Sequence, residues 1–219
     1  MKLNSKRTIL VGLAFLSICA FWQMYDSIVP LILTKTFHMN ETFSGAIMAA
    51  DNILALFLLP FFGSVSDKSH SKLGKRMPFI LFGTGCAIIL MNILPLLDNS
   101  YAAQPSGFKT ASFVIVLGLL LVAMGTYRAP AVALMPDVTP KPLRSRANAI
   151  INLMGAVGGI LYLGVAAVLY PNSKTAGLDH VNYQPLFIVV SAIMFVAVAV
   201  LFLTIREPKL TAENQALEK

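Results

Sequence analysis

Long apolar runs separated by short polar connectors recur along this chain. Breaking the pattern at charged and turn-forming residues predicts six helices, over about 8–33, 42–66, 77–97, 110–135, 147–170 and 185–205. Each approaches the roughly 20 residues that cross a bilayer as α-helix. Residues 1–205 thus read as one six-helix transmembrane domain, and 206–219 as a cytoplasmic charged tail or the start of a central loop. The expected fold is an all-α membrane protein, a six-transmembrane-helix bundle. Composition agrees: 57% of residues are hydrophobic and 12% charged, with mean hydropathy +0.74, against about 25% charged in soluble domains.

Charge then sets an orientation. With the N-terminus inside, the inner segments hold Lys2, Lys6, Arg7, Lys68, Lys72, Lys75, Arg76, Lys141, Arg144, Arg146, Arg206, Lys209 and Lys219, while the outer ones hold only Lys35, Lys109 and Lys174. Positive loops resist translocation, so both termini are expected in the cytoplasm of a multi-pass cell-membrane protein. The net charge of +7 therefore reports topology and contact with the lipid bilayer. It does not mark a nucleic-acid partner, since no basic run is interleaved with aromatics on a soluble module. The first 21 residues have the basic and apolar regions of a signal peptide, and Cys19 invites a lipoprotein reading. Ile18 is too large for the position before a lipidated Cys, so an uncleaved first span is expected.

Cys19 and Cys86 sit in different spans, and His38, His70 and His180 lie in or beside loops without metal-ligand spacing, so no metal is expected. No phosphate-binding loop or nucleophile elbow is present, and the chain is not expected to be an enzyme or to hold a cofactor. Pro30, Pro60, Pro95 and Pro130 fall inside spans, which bundles tolerate around a cavity. Gly63, Gly155 and Gly159 are candidates for close helix packing.

Three charges lie within spans. At 1.5 Å per residue, Asp26 sits roughly 9 Å and Asp51 roughly 4–5 Å to the outer side of their helix midpoints, and Arg128 about 7–8 Å to the inner side of its own. Such residues usually face a bundle interior or wet cavity. Two neighbouring carboxylates at similar depth could carry a proton, or each could be satisfied locally by Asn52, Gln23 or Tyr25. None of Arg128's helical neighbours is acidic, so it is expected to point into the cavity.

The connector at 63–79 is more specific than its charge. Gly63, then Asp67, then Gly74, Lys75 and Arg76, then Pro78 resembles the loop between helices two and three of the major facilitator superfamily. Pro60, "LGKRMPFI" at 73–80 and "YRAPAVALMPDVTPKPLRSRANAI" at 127–150, with Arg128, Asp137, Arg146, Ala147 and Asn148, resemble its glycoside transporters, which include plant sucrose-proton symporters and bacterial melibiose-type carriers.

The resemblance implies the N-terminal half of a twelve-helix fold. It further implies secondary active transport of a sugar or related small solute by symport, with a proton or other cation as coupling ion, and a gating network of Asp67, Lys75, Arg76, Asp137, Arg144 and Arg146. Trp22, Tyr25 and Tyr127 could then stack on sugar rings beside Asp26, Asp51 and Arg128. The missing partner would be a C-terminal six-helix half or a second copy. Leu117 stands where sucrose symporters carry an Asp, and Ala55 and Leu59 where melibiose-type carriers hold acidic residues. A non-transporting membrane scaffold is the alternative, disfavoured by the cost of keeping intramembrane charges.

Overall fold

A computed structural model describes residues 3–218, so Lys2 and Lys219 lie outside the described residues. The helices are α1 (Ser5–Leu31), α2 (Glu41–Asp67), α3 (Met77–Ala103), α4 (Gly107–Val138), α5 (Arg144–Leu169), a short α6 (Asn172–Thr175), α7 (Gln184–Thr204) and α8 (Glu207–Glu218). All but α6 and α8 are long and apolar enough to cross a membrane, which makes six spans among the described residues.

Local chemistry sets their starts. Asn4 accepts from the Arg7 N–H at 3.0 Å and Asn40 from the Thr42 N–H at 2.9 Å, each satisfying a donor that a helix leaves unpaired. Pro78 and Pro185 open α3 and α7, where a missing N–H costs nothing. Pro30 cannot donate within α1, and the ladder then widens to a π-turn over Ile32–Thr36 before the chain reverses.

Two boundaries differ from the sequence expectation. Helix α3 runs through Pro95 to Ala103 and so carries Asp98 inside the bundle. Hydropathy follows the apolar stretch, whereas the backbone keeps its hydrogen bonds past it. The tail expected at 206–219 is instead α8 over its described residues, with Pro208 in its first turn.

Helix α1 packs against α5 and α7, α3 against α4 and α7, and α2 against α4. The crossing of α1 and α5 is set by Gly158, where a Cβ would lie 2.1 Å from the Leu16 carbonyl oxygen. Gly155 also meets α1, at Cys19 Sγ. Gly159 and Gly63 do not make the close contacts expected of them. A Cβ on Gly159 would approach only Gln23 Oε1, at 3.8 Å, and one on Gly63 would meet nothing within 4 Å. The reason is angular: each residue turns the helix by about 100°, so Gly158 faces the partner helix and Gly159 is rotated off the contact. Phe43, Ile53, Leu56, Phe57 and Phe61 leave much of α2 exposed and apolar.

Candidate functional site

Helices α1, α2 and α4 line a half-open chamber of about 450 Å³. Trp22, Asp26, Asp51, Asn52, Arg128 and Cys19 supply its polar and aromatic wall, and Phe15, Ile18, Ala55 and Val132 the apolar remainder. The α1 contributors at 15, 18, 19, 22 and 26 follow the spacing of one helix face. One face of α1 therefore lines the chamber, apolar at Phe15 and Ile18 and carrying Cys19, the Trp22 ring and the Asp26 carboxylate along the rest of its length.

Within the chamber Asp51 accepts from Asn52 Nδ2 at 2.8 Å. Arg128 lies over the Trp22 ring, with Cζ 5.5 Å from the ring centroid, a cation–π contact. No carboxylate of the described residues lies within ion-pair distance of that guanidinium. The buried Trp22 Nε1–H has no hydrogen-bond partner among the described residues. The chamber thus brings two carboxylates, a guanidinium, an unengaged indole donor and an aromatic ring to one cavity.

Tyr25 and Tyr127 do not join them, which corrects the expectation that they stack on a substrate. Both are fully buried. Tyr25 packs edge-on to Trp22 and stacks on Phe21. The Tyr127 hydroxyl donates to the Ala14 carbonyl at 2.9 Å and bonds Ser17, tying α4 to α1. Each is adjacent in sequence to a chamber residue, and that adjacency turns it about 100° away.

The charged loops meet at the end of the bundle that holds the start of α1 and the end of α7. Arg76 is 5% exposed. Its guanidinium donates to Asp137 Oδ2 at 2.8 Å, to Asp67, to Ser66 and, at 3.4 Å, to the Gly63 carbonyl. Burial opposes its charge, but Asp137 and then Asp67 more than offset this and raise its pKa. Glu207 of α8 accepts the backbone N–H groups of Lys75, Arg76 and Met77 at 2.7–2.9 Å, placing a carboxylate on the positive end of α3. Gly74, at φ +111°, makes that seat possible, since a Cβ there would lie 2.3 Å from Glu207 Oε2. Asn214 of α8 donates to the Asp137 and Thr139 carbonyls.

Of the expected network, Asp67, Arg76 and Asp137 therefore come together through one guanidinium. Lys75 enters through its backbone N–H while its residue is exposed. Arg144 donates to the Thr139 and Pro136 carbonyls at the end of α4, and Arg146 is exposed. Glu207, Ser66 and Asn214 were not anticipated. Pro208 followed by strong helix formers was a readable sign of α8, but nothing in the sequence paired it with α3.

A six-helix bundle with a polar chamber among three of its spans and a charge lock at one end is half of a transporter fold. The sequence matches the Major Facilitator Superfamily over residues 11–219, and the chain belongs to that family. It is 35% identical to "Sucrose transport protein SUC3" of Arabidopsis thaliana over 158 residues, 67% of this chain and 26% of that protein. It is 36% identical to "Sucrose transport protein SUT3" of Oryza sativa subsp. indica over 154 residues, 64% of this chain and 30% of that protein. With human "Solute carrier family 45 member 3" it shares 25% over 186 residues, 83% of this chain and 34% of that protein. The chain thus spans about a quarter to a third of the length of these relatives. The matches point to a transporter family and away from an enzyme.

Proposed function

We propose that this chain is the N-terminal half of a secondary transporter that moves a sugar across the cell membrane by proton-coupled symport with alternating access. The observation that carries the reading is the convergence of Trp22, Arg128, Asp26 and Asp51 on one chamber. A ring face and a forked donor are the groups that hold a polyhydroxylated ring, the one by stacking and the other by paired hydrogen bonds. Asp26 and Asp51 supply carboxylates for the coupling proton. Ala55 borders the same chamber, and Leu59 lines a small apolar recess beside it. Neither offers a side-chain oxygen, so the acidic pair of the melibiose-type carriers is not reproduced at these two positions. Leu117, at the position of the sucrose symporters' Asp, is 1% exposed in the core.

The lock around Arg76 is then the gate of the cytoplasmic side, and the basic end of the bundle faces the cytoplasm. The exposed apolar flank of α2 meets lipid or the second six-helix half, from the same or another chain.

The coupling assignment is tested by uptake of labelled sucrose into cells expressing the gene under an inward proton gradient. Asp26→Asn and Asp51→Asn are each expected to lower gradient-driven uptake roughly tenfold or more, about 1.4 kcal/mol, with insertion unchanged. Uptake equal to wild type in both variants would show that neither carboxylate couples.

A further inference from the structure

At the opposite end of the bundle, Asp98 of α3 is 0% exposed, and neither carboxylate oxygen has a hydrogen-bond partner among the described residues. His180, in the connector between α6 and α7, places Nδ1 3.8 Å from Asp98 Oδ2. Thr36, at the end of the π-turn after α1, sits between them, its hydroxyl 3.2 Å from the same Nδ1.

The tautomer of His180 follows from its neighbours. The Gln184 backbone N–H, which can only donate, bonds Asn182 Oδ1 at 3.0 Å. That oxygen therefore also accepts from Asn99 Nδ2, at 2.9 Å. Asn99 is thereby oriented with Oδ1 toward His180 Nε2, 3.0 Å away, and Nε2 must carry the hydrogen. Nδ1 is then the nitrogen that gains or loses a proton, and it is the one facing Asp98.

We propose that Asp98 and His180 form a proton-binding site, separate from the Asp26–Asp51 chamber, that fastens the connector 171–183 onto α3 and the end of α1. With the proton on Nδ1, the half-buried imidazolium and the fully buried carboxylate neutralise each other. Without it, a buried carboxylate faces a neutral ring with only the Thr36 hydroxyl beside it, and a buried charge without an opposite charge is costly. The connector is released as pH rises and the proton leaves, the sign expected of a histidine fastened by a carboxylate. The other titratable side chains on the surrounding elements are Tyr183 at the start of α7, Tyr170 at the end of α5, Tyr101 on α3, the exposed Lys35 and His38 on and just after the α1 extension, and the exposed Lys174 and Asp179 in the connector itself. Burial and then the Asp98 charge push the Tyr183 phenol up, so it stays neutral through the histidine range.

Hydrogen–deuterium exchange of the chain in lipid nanodiscs tests this, with rates corrected for the intrinsic pH dependence of amide exchange. In wild type, exchange of amides in 171–183 is expected to rise about fivefold or more when the pH is raised from roughly 6 to 8. Asp98→Asn removes the buried charge and is expected to leave the connector protected at both pH values. His180→Gln is expected to leave it fast at both. If His180→Gln fails to insert, wild type against Asp98→Asn decides alone. A wild-type connector with no excess pH dependence, or an Asp98→Asn connector that keeps it, overturns the proposal.

Discussion

Arg76→Ala is expected to destabilise the bundle by about 3 kcal/mol, the low end of the range for removing one partner of a buried ion pair. The low end applies because the abandoned carboxylates are not sealed off: the Asp67 side chain is 61% exposed and that of Asp137 31%. What is lost is one planar donor set serving α2 through Asp67, Ser66 and the Gly63 carbonyl, and α4 through Asp137. Arg76→Lys separates charge from shape. A lysine ammonium carries the charge on one compact head and cannot fork between two helices, so it is expected to recover less than half of the loss. Unfolding free energies in mixed micelles measure both variants. Full recovery by lysine would mean that only net charge matters at this end of the bundle.

Gly158→Ala is expected to cost about 2–3 kcal/mol, in the range of overpacking a filled interior. The new methyl would press on the Leu16 backbone at 2.1 Å to O, 2.8 Å to C and 3.0 Å to Cα. No rotamer change relieves a backbone clash, so α1 and α5 must part, and they form one of the closest helix pairs in the bundle. Neighbouring glycines provide the control. At Gly63 nothing stands within 4 Å, and at Gly159 only a flexible amide does, at 3.8 Å. Alanine there is expected to be neutral, or stabilising by up to about 1 kcal/mol through its helix propensity. Equal losses at Gly158 and Gly159 would contradict the crossing described above.

These cases mark where the sequence was readable. The six spans were visible because lipid forces long apolar runs and pushes polar residues into connectors. Asp26, Asp51 and Arg128 stood out by their cost in such runs, and the structure lines one chamber with all three. What a linear pattern lacks is azimuth. Tyr25 and Tyr127 are chain neighbours of chamber residues yet point into the core, and Gly158 rather than Gly159 meets α1, each a matter of one residue's rotation. Pairings distant in sequence were hidden for a related reason. Glu207 seats on α3 across 130 residues or more of chain, and nothing local in "REPKL" names that partner. Asp98 fell just outside the expected third span because the apolar run breaks at its charge, while the helix continues to Ala103.

The chamber between α1, α2 and α4, proposed as the sugar site, carries its own reporter. Trp22 is the single tryptophan and forms part of the chamber wall beneath Arg128. Titration of sucrose into the chain in nanodiscs, followed by Trp22 fluorescence, is expected to give a saturable change. In Arg128→Ala that response should weaken by at least about tenfold in affinity, the loss of a guanidinium hydrogen bond of roughly 1.5 kcal/mol or more. A wild-type signal that does not saturate, or a binding curve unchanged in Arg128→Ala, would contradict the assignment of this chamber as the sugar site.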